Sequence, residues 1–321
     1  MAGLAQVLGA VQLQGSVTLP MMRYAVSFDV TEPVHLPEYS GSTLRGAFGQ
    51  ALRRTACMTR QKDCKSCPLY RSCPYTDIFE TPPPETHSLQ KFSQIPNAYV
   101  IEPPNWGRRV YEPGEKLEYE FVLFGRARRH LALVVFAMIR AFKHDVGHGR
   151  AAFRTLHAVT SSGPVLLLES ENDRIQAHEN ETTLVVPQGT TLELSVQTPL
   201  RLQNNGRPLR AGEITARTLL MSMVRRTALI HEFQCEESLS LDFAQLALEA
   251  EAVGMECDLH WLDWTRYSSR QNRAMNLGGV VGSIRLTNLS HALSLFCACS
   301  TLTHVGKNAT FGLGRTTLIG K

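Results

Sequence analysis

The sequence predicts an α+β protein built from two tandem ferredoxin-like (βαββαβ, RRM-like) domains. Three observations lead there. One order of elements (strand, helix, two strands, helix, glycine turn, strand) is met twice. In both copies strand-like stretches alternate with amphipathic helices of 3.6-residue period. A Ser161-Ser162-Gly163-Pro164 segment separates the copies. With 321 residues, 43% hydrophobic and 19% charged, the chain is globular and long enough for two cores.

Residues 1–20 carry no charged side chain and lack the basic start of a secretory signal, so they are expected to form an N-terminal extension. The first domain is expected over 21–162. Arg23–Val30 alternates as a strand does. Leu44, Ala47, Phe48, Ala51 and Leu52 then fall on one helix face, with Ser40 or Ser42 as its cap and Arg45, Gly49 and Arg53 on another face. An insertion at about 57–95 holds four cysteines and the run Pro82-Pro83-Pro84. Strands near Ala98–Ile101 and Lys116–Leu123, a helix over Arg129–Lys143, the turn Val146-Gly147-His148-Gly149-Arg150 and a strand Ala152–Val159 complete the unit.

The second domain is expected over 163–321. Its elements are a strand Thr191–Leu202, a helix Ala211–His231, and an acidic helix starting at Asp242 with Gln245 in the capping-box position. Strands Cys257–Tyr267 and Gly279–Leu286 follow. A helix Ser290–Leu302 then leads into a glycine-rich loop at 304–315 and a last strand, Thr316–Ile319.

Four of the eight cysteines follow the pattern Cys57-x6-Cys64-x2-Cys67-x5-Cys73. A Cys-x2-Cys knuckle flanked by two more thiols can surround one tetrahedral ion, which makes structural zinc the simplest occupant and an iron–sulfur cluster the alternative. Four thiolates close such a site, so no metal is expected in catalysis. Cys235, Cys257, Cys297 and Cys299 are expected in cores. No run of eighteen apolar residues exists, and cytoplasmic residence is expected.

The net charge of +4 says little about partners, but its distribution is uneven. Six arginines (201, 207, 210, 217, 225 and 226) lie between Pro199 and His231 with one acid, whereas Glu236–Asp258 has seven acids and no Lys or Arg. Such segregation would give one face a positive potential. The 304–315 loop joins glycines to Lys307 and Arg315, chemistry that suits a phosphate if its N–H groups are bare. Trp261-Leu-Asp-Trp264-Thr-Arg266-Tyr267-Ser-Ser-Arg270-Gln-Asn-Arg273 mixes stacking rings with phosphate donors, as RNA binding asks.

At these residues the chain resembles the CRISPR-associated endoribonucleases that process precursor CRISPR RNA, members of the RAMP (repeat-associated mysterious protein) superfamily. The resemblance rests on Gly41-Ser-Thr-Leu-Arg-Gly-Ala-Phe-Gly49, the cysteine segment ending Cys73-Pro74-Tyr75, Thr198-Pro-Leu-Arg-Leu202, and the run from Trp261 to Arg315. It implies binding of a CRISPR repeat RNA, often a hairpin, and metal-independent cleavage by attack of the 2′-hydroxyl on the adjacent phosphorus. A 2′,3′-cyclic phosphate would result. The chemistry needs a base, an acid and cations.

Many relatives place a histidine at or just after the first helix, where this chain has Met58-Thr59-Arg60. His35 is therefore the candidate base, with Tyr39 and Arg45 beside it, and His148 and His304 are rivals. Arg201, Arg266, Arg270, Arg273, Gly306, Lys307, Gly312, Gly314 and Arg315 are the candidate RNA contacts. Two functions share these features: an endoribonuclease that may keep its product and pass it to an effector complex, and a non-catalytic subunit that holds processed guide RNA. The nuclease is the reading favoured. No dinucleotide, Walker or nucleophile-elbow motif supports a metabolic enzyme.

Overall fold

The computed structural model describes residues 15–84, 95–107, 109–236, 238–268 and 273–319, with backbone only at 265–268 and 273–276. Two compact units divide it. One spans Pro20–Thr182 with Phe233–Glu236; the other holds Thr183–Glu232 and the rest of the C-terminal half, joined by the strand Ser16–Leu19.

The N-terminal unit opens with β1 (Met21–Glu32), whose alternate residues Tyr24, Val26 and Phe28 are buried. Helix α1 (Gly41–Ala56) follows Ser40, which sits at the N-cap without a side-chain cap bond. Its Leu44, Phe48 and Leu52 face the core, as the 3.6 period requires. A short helix α2 (Pro74–Phe79) ends the cysteine segment. Strands β2 (Tyr99–Glu102) and β3 (Lys116–Phe124), helix α3 (Leu131–His144) and β4 (Arg150–Thr160) complete the pattern.

The sheet order is β2-β3-β1-β4 with one further edge strand, β5 (Gly163–Leu168), and every pairing is antiparallel. Because β5 pairs along β4, this unit runs on to Thr182, past the boundary expected at 162. Helices α1 and α3 lie side by side. Arg23 of β1 forms a two-pronged ion pair with the buried Glu102 of β2, at 2.7 and 2.8 Å.

The C-terminal unit repeats this. Its elements are β6 (Leu192–Leu200), α4 (Ala216–Gln234), α5 (Phe243–Glu251), β7 (Gly254–Leu262), β8 (Thr265–Ser268), β9 (Arg273–Asn276), β10 (Gly279–Thr287), α6 (His291–Thr303) and β11 (Thr316–Leu318). The sheet order β7-β10-β6-β11 is that of the first unit's four strands. Asp242 caps α5 by accepting from the amides of Ala244 and Gln245, while the Gln245 side chain turns to Glu249, so only half of the capping box forms. Ser290 caps α6.

Three expectations are revised. The strand drawn from Cys257 to Tyr267 is two: β7 stops at Leu262, and β8 turns away to pair with β9. The last four residues of the expected N-terminal extension, apart from Pro20, form a strand paired with Thr182–Val185, while residues 1–14 lie outside the described part. Cys297 and Cys299 are buried, but Cys257 is exposed. No helix among the described residues is long and apolar enough to cross a membrane.

Phe28 is fully buried, with the Phe142 ring 4.2 Å from its own, centroid to centroid, and Tyr119 and Phe153 beyond. Phe28→Ala is expected to destabilise the N-terminal unit by about 3–5 kcal/mol, read as a lower urea midpoint at unchanged slope. A loss below about 1 kcal/mol would mean that this cluster is not the centre of the core.

Candidate nucleic-acid interface

In each unit a glycine turn after the second long helix lies backbone to backbone against the end of the first strand. In the C-terminal unit the 304–315 loop settles on Thr198–Arg201. The Lys307 amide donates to the Arg201 carbonyl at 3.0 Å, the Gly314 amide to that of Pro199 at 3.1 Å, and the Val305 amide to that of Gly314 at 3.0 Å. Thr198 Oγ1 donates to the Gly312 carbonyl at 2.7 Å and accepts from the Arg315 amide at 2.9 Å.

Glycine is obligatory at two of these positions. A Cβ on Gly306 (φ +81°) would lie 2.6 Å from the Arg201 carbonyl oxygen, and one on Gly314 (φ +68°) only 1.8 Å from that of Val305. The expectation of bare N–H groups is thus corrected. The amides of Lys307, Gly312, Gly314 and Arg315 are used within the unit, so Gly306, Gly312 and Gly314 shape the loop and form no open anion cradle.

His304 shows the same use. It caps α6 at φ +58°, is fully buried, and places its ring Nδ1 3.2 Å from the Leu313 carbonyl oxygen. Its ring is thus closed off from the surface in this structure. Arg201 donates through Nη1 to the Gly278 carbonyl at 3.0 Å. Lys307 is exposed and Arg315 half-buried.

The six arginines of 199–231 do not make one face. Arg207 pairs with Glu213 and Arg217 with Glu251, and Arg210 covers the Trp261 ring at 3.8 Å. Arg226 is half-buried and donates to the Thr303 carbonyl at 2.6 Å, and desolvation pulls its pKa down to about 10. Trp264 is buried and Trp261 donates to Asp263 at 2.7 Å, so both tryptophans are engaged within the unit. Arg266 and Arg273 stand on the β8–β9 hairpin, and Arg270 lies outside the described residues.

The N-terminal unit has the corresponding turn at Val146–Gly149. The His35 amide donates to the Gly147 carbonyl at 2.9 Å, and a Cβ on Gly147 (φ +61°) would approach the His35 carbonyl oxygen to 2.4 Å. This contact sets His35, on the strand Val34–Leu36, one residue away from His148; both histidines are exposed. Tyr39 is instead buried, with its ring packed on Trp106 at 4.8 Å. Arg45 lies over the Phe79 ring at 4.3 Å. On the same helix, a Cβ on Gly49 would strike that ring at 2.2 Å. The face bearing Arg45, Gly49 and Arg53 therefore seats Phe79 and the cysteine segment.

The structure adds a feature missed in the sequence. Gln50, Arg53, Arg54, Cys57, Arg60, Gln61, Lys62 and Arg140 line an open concavity that has five cations and no carboxylate. Arg53 braces it by donating to the carbonyls of Gln61 (2.6 Å) and Lys62 (2.8 Å). Arg54, Arg60 and Lys62 are exposed. The adjacent pair Arg53-Arg54 was the available sequence signal, but Arg140 joins it only through the packing of α3 on α1.

Beside the concavity, Cys57, Cys64, Cys67 and Cys73 together line one small cavity. The donor set is thiol only and fits a thiophilic metal in kind. As placed, no group of three or more His, Cys, Asp or Glu among the described residues is arranged to hold a metal ion.

Residues 19–180 match the family model AF_1859_N, an N-terminal domain, and residues 194–316 match that of the CRISPR-associated endoribonuclease Cas6. The C-terminal unit is thus similar to the Cas6 endoribonuclease domain, over residues 194–316. No curated protein sequence matches it.

Solved structures share the fold. A Cas6 product complex aligns at TM-score 0.56 and 14% identity, over 93% of this chain and 99% of that one. Thermus thermophilus Cas6 aligns at TM-score 0.51 and 14% identity, over 93% and 99%. A partial Cas6-RT-Cas1–Cas2 complex aligns at 0.53 and 14%, over 94% of this chain but only 46% of that one, so here the chain spans about half the length of its match.

Gly314→Ala is expected to lower the melting temperature by several degrees, because neither the positive φ nor the 1.8 Å approach admits a Cβ. Lys307→Ala, at an exposed side chain, should leave it within about a degree. Equal stability of both variants would show that the loop does not close on Val305 as described.

Proposed function

We propose that this protein binds CRISPR repeat RNA and cuts precursor CRISPR RNA within the repeats by metal-independent attack of a 2′-hydroxyl. The match of the glycine-loop unit to the Cas6 endoribonuclease domain carries the reading. The 2′-oxygen bonds to phosphorus while the bond to the 5′-oxygen breaks, giving a 2′,3′-cyclic phosphate and a 5′-hydroxyl. His35 takes the 2′ proton, and the exposed His148, whose neighbour Gly147 accepts from the His35 amide, gives one to the leaving oxygen. Neither Tyr39 nor His304, both buried, has a part in this.

Exposed cations at Arg54, Arg60 and Lys62 hold phosphates in the basic concavity, and Lys307, Arg266, Arg270 and Arg273 serve the C-terminal unit. The repeat is held as a hairpin, the product stays bound, and it passes to other CRISPR effector subunits. Free cysteines throughout the described residues suit a reducing cytoplasm.

The test is cleavage of a labelled repeat RNA from the source genome by purified protein in EDTA. One cut that survives the chelator and disappears with a single 2′-deoxyribose at that bond is expected. Tight binding without cutting would favour the non-catalytic, guide-holding subunit.

His35→Ala should slow cleavage on the order of 10²–10⁴-fold while leaving RNA affinity within about twofold. A rate within twofold of the parent would exclude His35 as the base. Combined Arg54→Ala, Arg60→Ala and Lys62→Ala substitutions should flatten the salt dependence of binding, by roughly 0.7 in log–log slope for each phosphate no longer neutralised. An unchanged slope would place the RNA elsewhere.

A further inference from the structure

We propose that Cys57, Cys64, Cys67 and Cys73 bind one zinc ion as a closed tetrathiolate site that holds the loop between α1 and α2 in place. The loop has a physical need for such a staple. From Met58 to Ser72 no residue lies in a helix or strand. Its composition is mostly polar and charged; Met58 is 77% exposed, and Leu69 and Tyr70 are only half-buried. Hydrophobic burial supplies little to order fifteen such residues, each of which loses backbone entropy of about 1–2 kcal/mol on being fixed.

The cysteines are what this loop turns inward. All four are half-buried, whereas Met58–Asp63, Lys65, Ser66 and Pro68 are exposed. Two consecutive turns shape the knuckle: the Cys67 amide donates to the Cys64 carbonyl at 3.1 Å, and the Tyr70 amide to that of Cys67 at 2.9 Å. Contacts also reach the sulfurs themselves. The Arg60 amide donates to Cys57 Sγ, and Thr59 Oγ1 lies against Cys67 Sγ, both at 3.3 Å. Thr59 therefore links the Cys57 end of the loop to the knuckle across the shared cavity. Backbone N–H and hydroxyl contacts to sulfur are the supports that steady coordinating thiolates.

Charge completes the argument. A tetrathiolate zinc site carries net negative charge, and the surrounding cations, Arg53, Arg60 and Lys62, line the adjoining concavity together with Cys57. Four sulfurs with no open position favour zinc in a structural role, and metal binding draws them to about 2.3 Å from a common centre. Fixing the loop also fixes Arg60 and Lys62 at the rim of that concavity.

The experiment is elemental analysis of the full-length protein, purified without immobilised metal after growth with zinc. About one zinc per chain is expected, released in step with mercurial titration of the thiols. Combined Cys64→Ser and Cys67→Ser substitutions should abolish the zinc, and Cys257→Ser, at the exposed cysteine of the C-terminal unit, should retain it.

Should the double variant fail to fold, cobalt(II) substitution of the parent protein decides instead: tetrahedral thiolate absorption supports the site and its absence overturns it. Metal-free protein with reactive thiols, or with Cys57–Cys73 paired as disulfides, overturns the proposal. Iron with acid-labile sulfide overturns the assignment to zinc.

Discussion

Close approach of two backbones governs both units. In each, the turn that leaves the second long helix must lie on the end of the first strand, closer than any side chain permits. Gly147 and Gly149 do this against His35 and Pro33, just past the first strand of the N-terminal unit; Gly306 does it against Arg201 in the C-terminal unit, where Gly314 closes the loop on Val305. Because the turn is bound to the strand by amides, the final strand of each sheet enters at a fixed register beside the first. Two ferredoxin-like sheets of the same strand order are the outcome.

This constraint also divides the polar residues into those that build and those that remain for a ligand. A loop whose amides serve its own chain cannot also wrap a phosphate, so anion binding falls to side chains at its edge such as Lys307. The arginines divide likewise. Arg45 stacks on Phe79, Arg53 braces two carbonyls, Arg210 covers Trp261 and Arg226 donates to the Thr303 carbonyl. A guanidinium has a planar face for rings and a fork of donors for oxygens, and both uses compete with RNA. Arg54, Arg60 and Lys62 remain exposed beside α1 and its cysteine loop, in a concavity whose lining holds no carboxylate.

The motif Gly41–Gly49 illustrates how one sequence signal serves packing and function together. Gly49 is small because Phe79 lies on it, and Arg45 one turn earlier covers the same ring. That contact docks α2 on α1, and with it the end of the cysteine segment. The helix thus carries the surface on which the basic concavity is built, while Leu44, Phe48 and Gly49 of its motif are buried.

Periodicity and capping chemistry determined the helices and most strands by themselves, because alternation and the 3.6 repeat are local consequences of which face meets a core. Ser290 and Asp242 act as caps for that reason, and the twice-repeated element order announced two similar units. Cysteine spacing likewise marked four thiols that do share a cavity.

Only the tertiary structure decided which polar residues are reachable. Burial of His304 and Tyr39, the meeting of the His35 and His148 segments, and the entry of Arg140 into the concavity all depend on contacts between residues distant in sequence. The same holds for β5, which extends the first unit because its partner strand is next to it, whereas Ser161–Pro164 reads locally as a break between domains. Spacing along a chain specifies a face of an element; what that face meets is set by packing, and a residue's chemistry follows from what it meets.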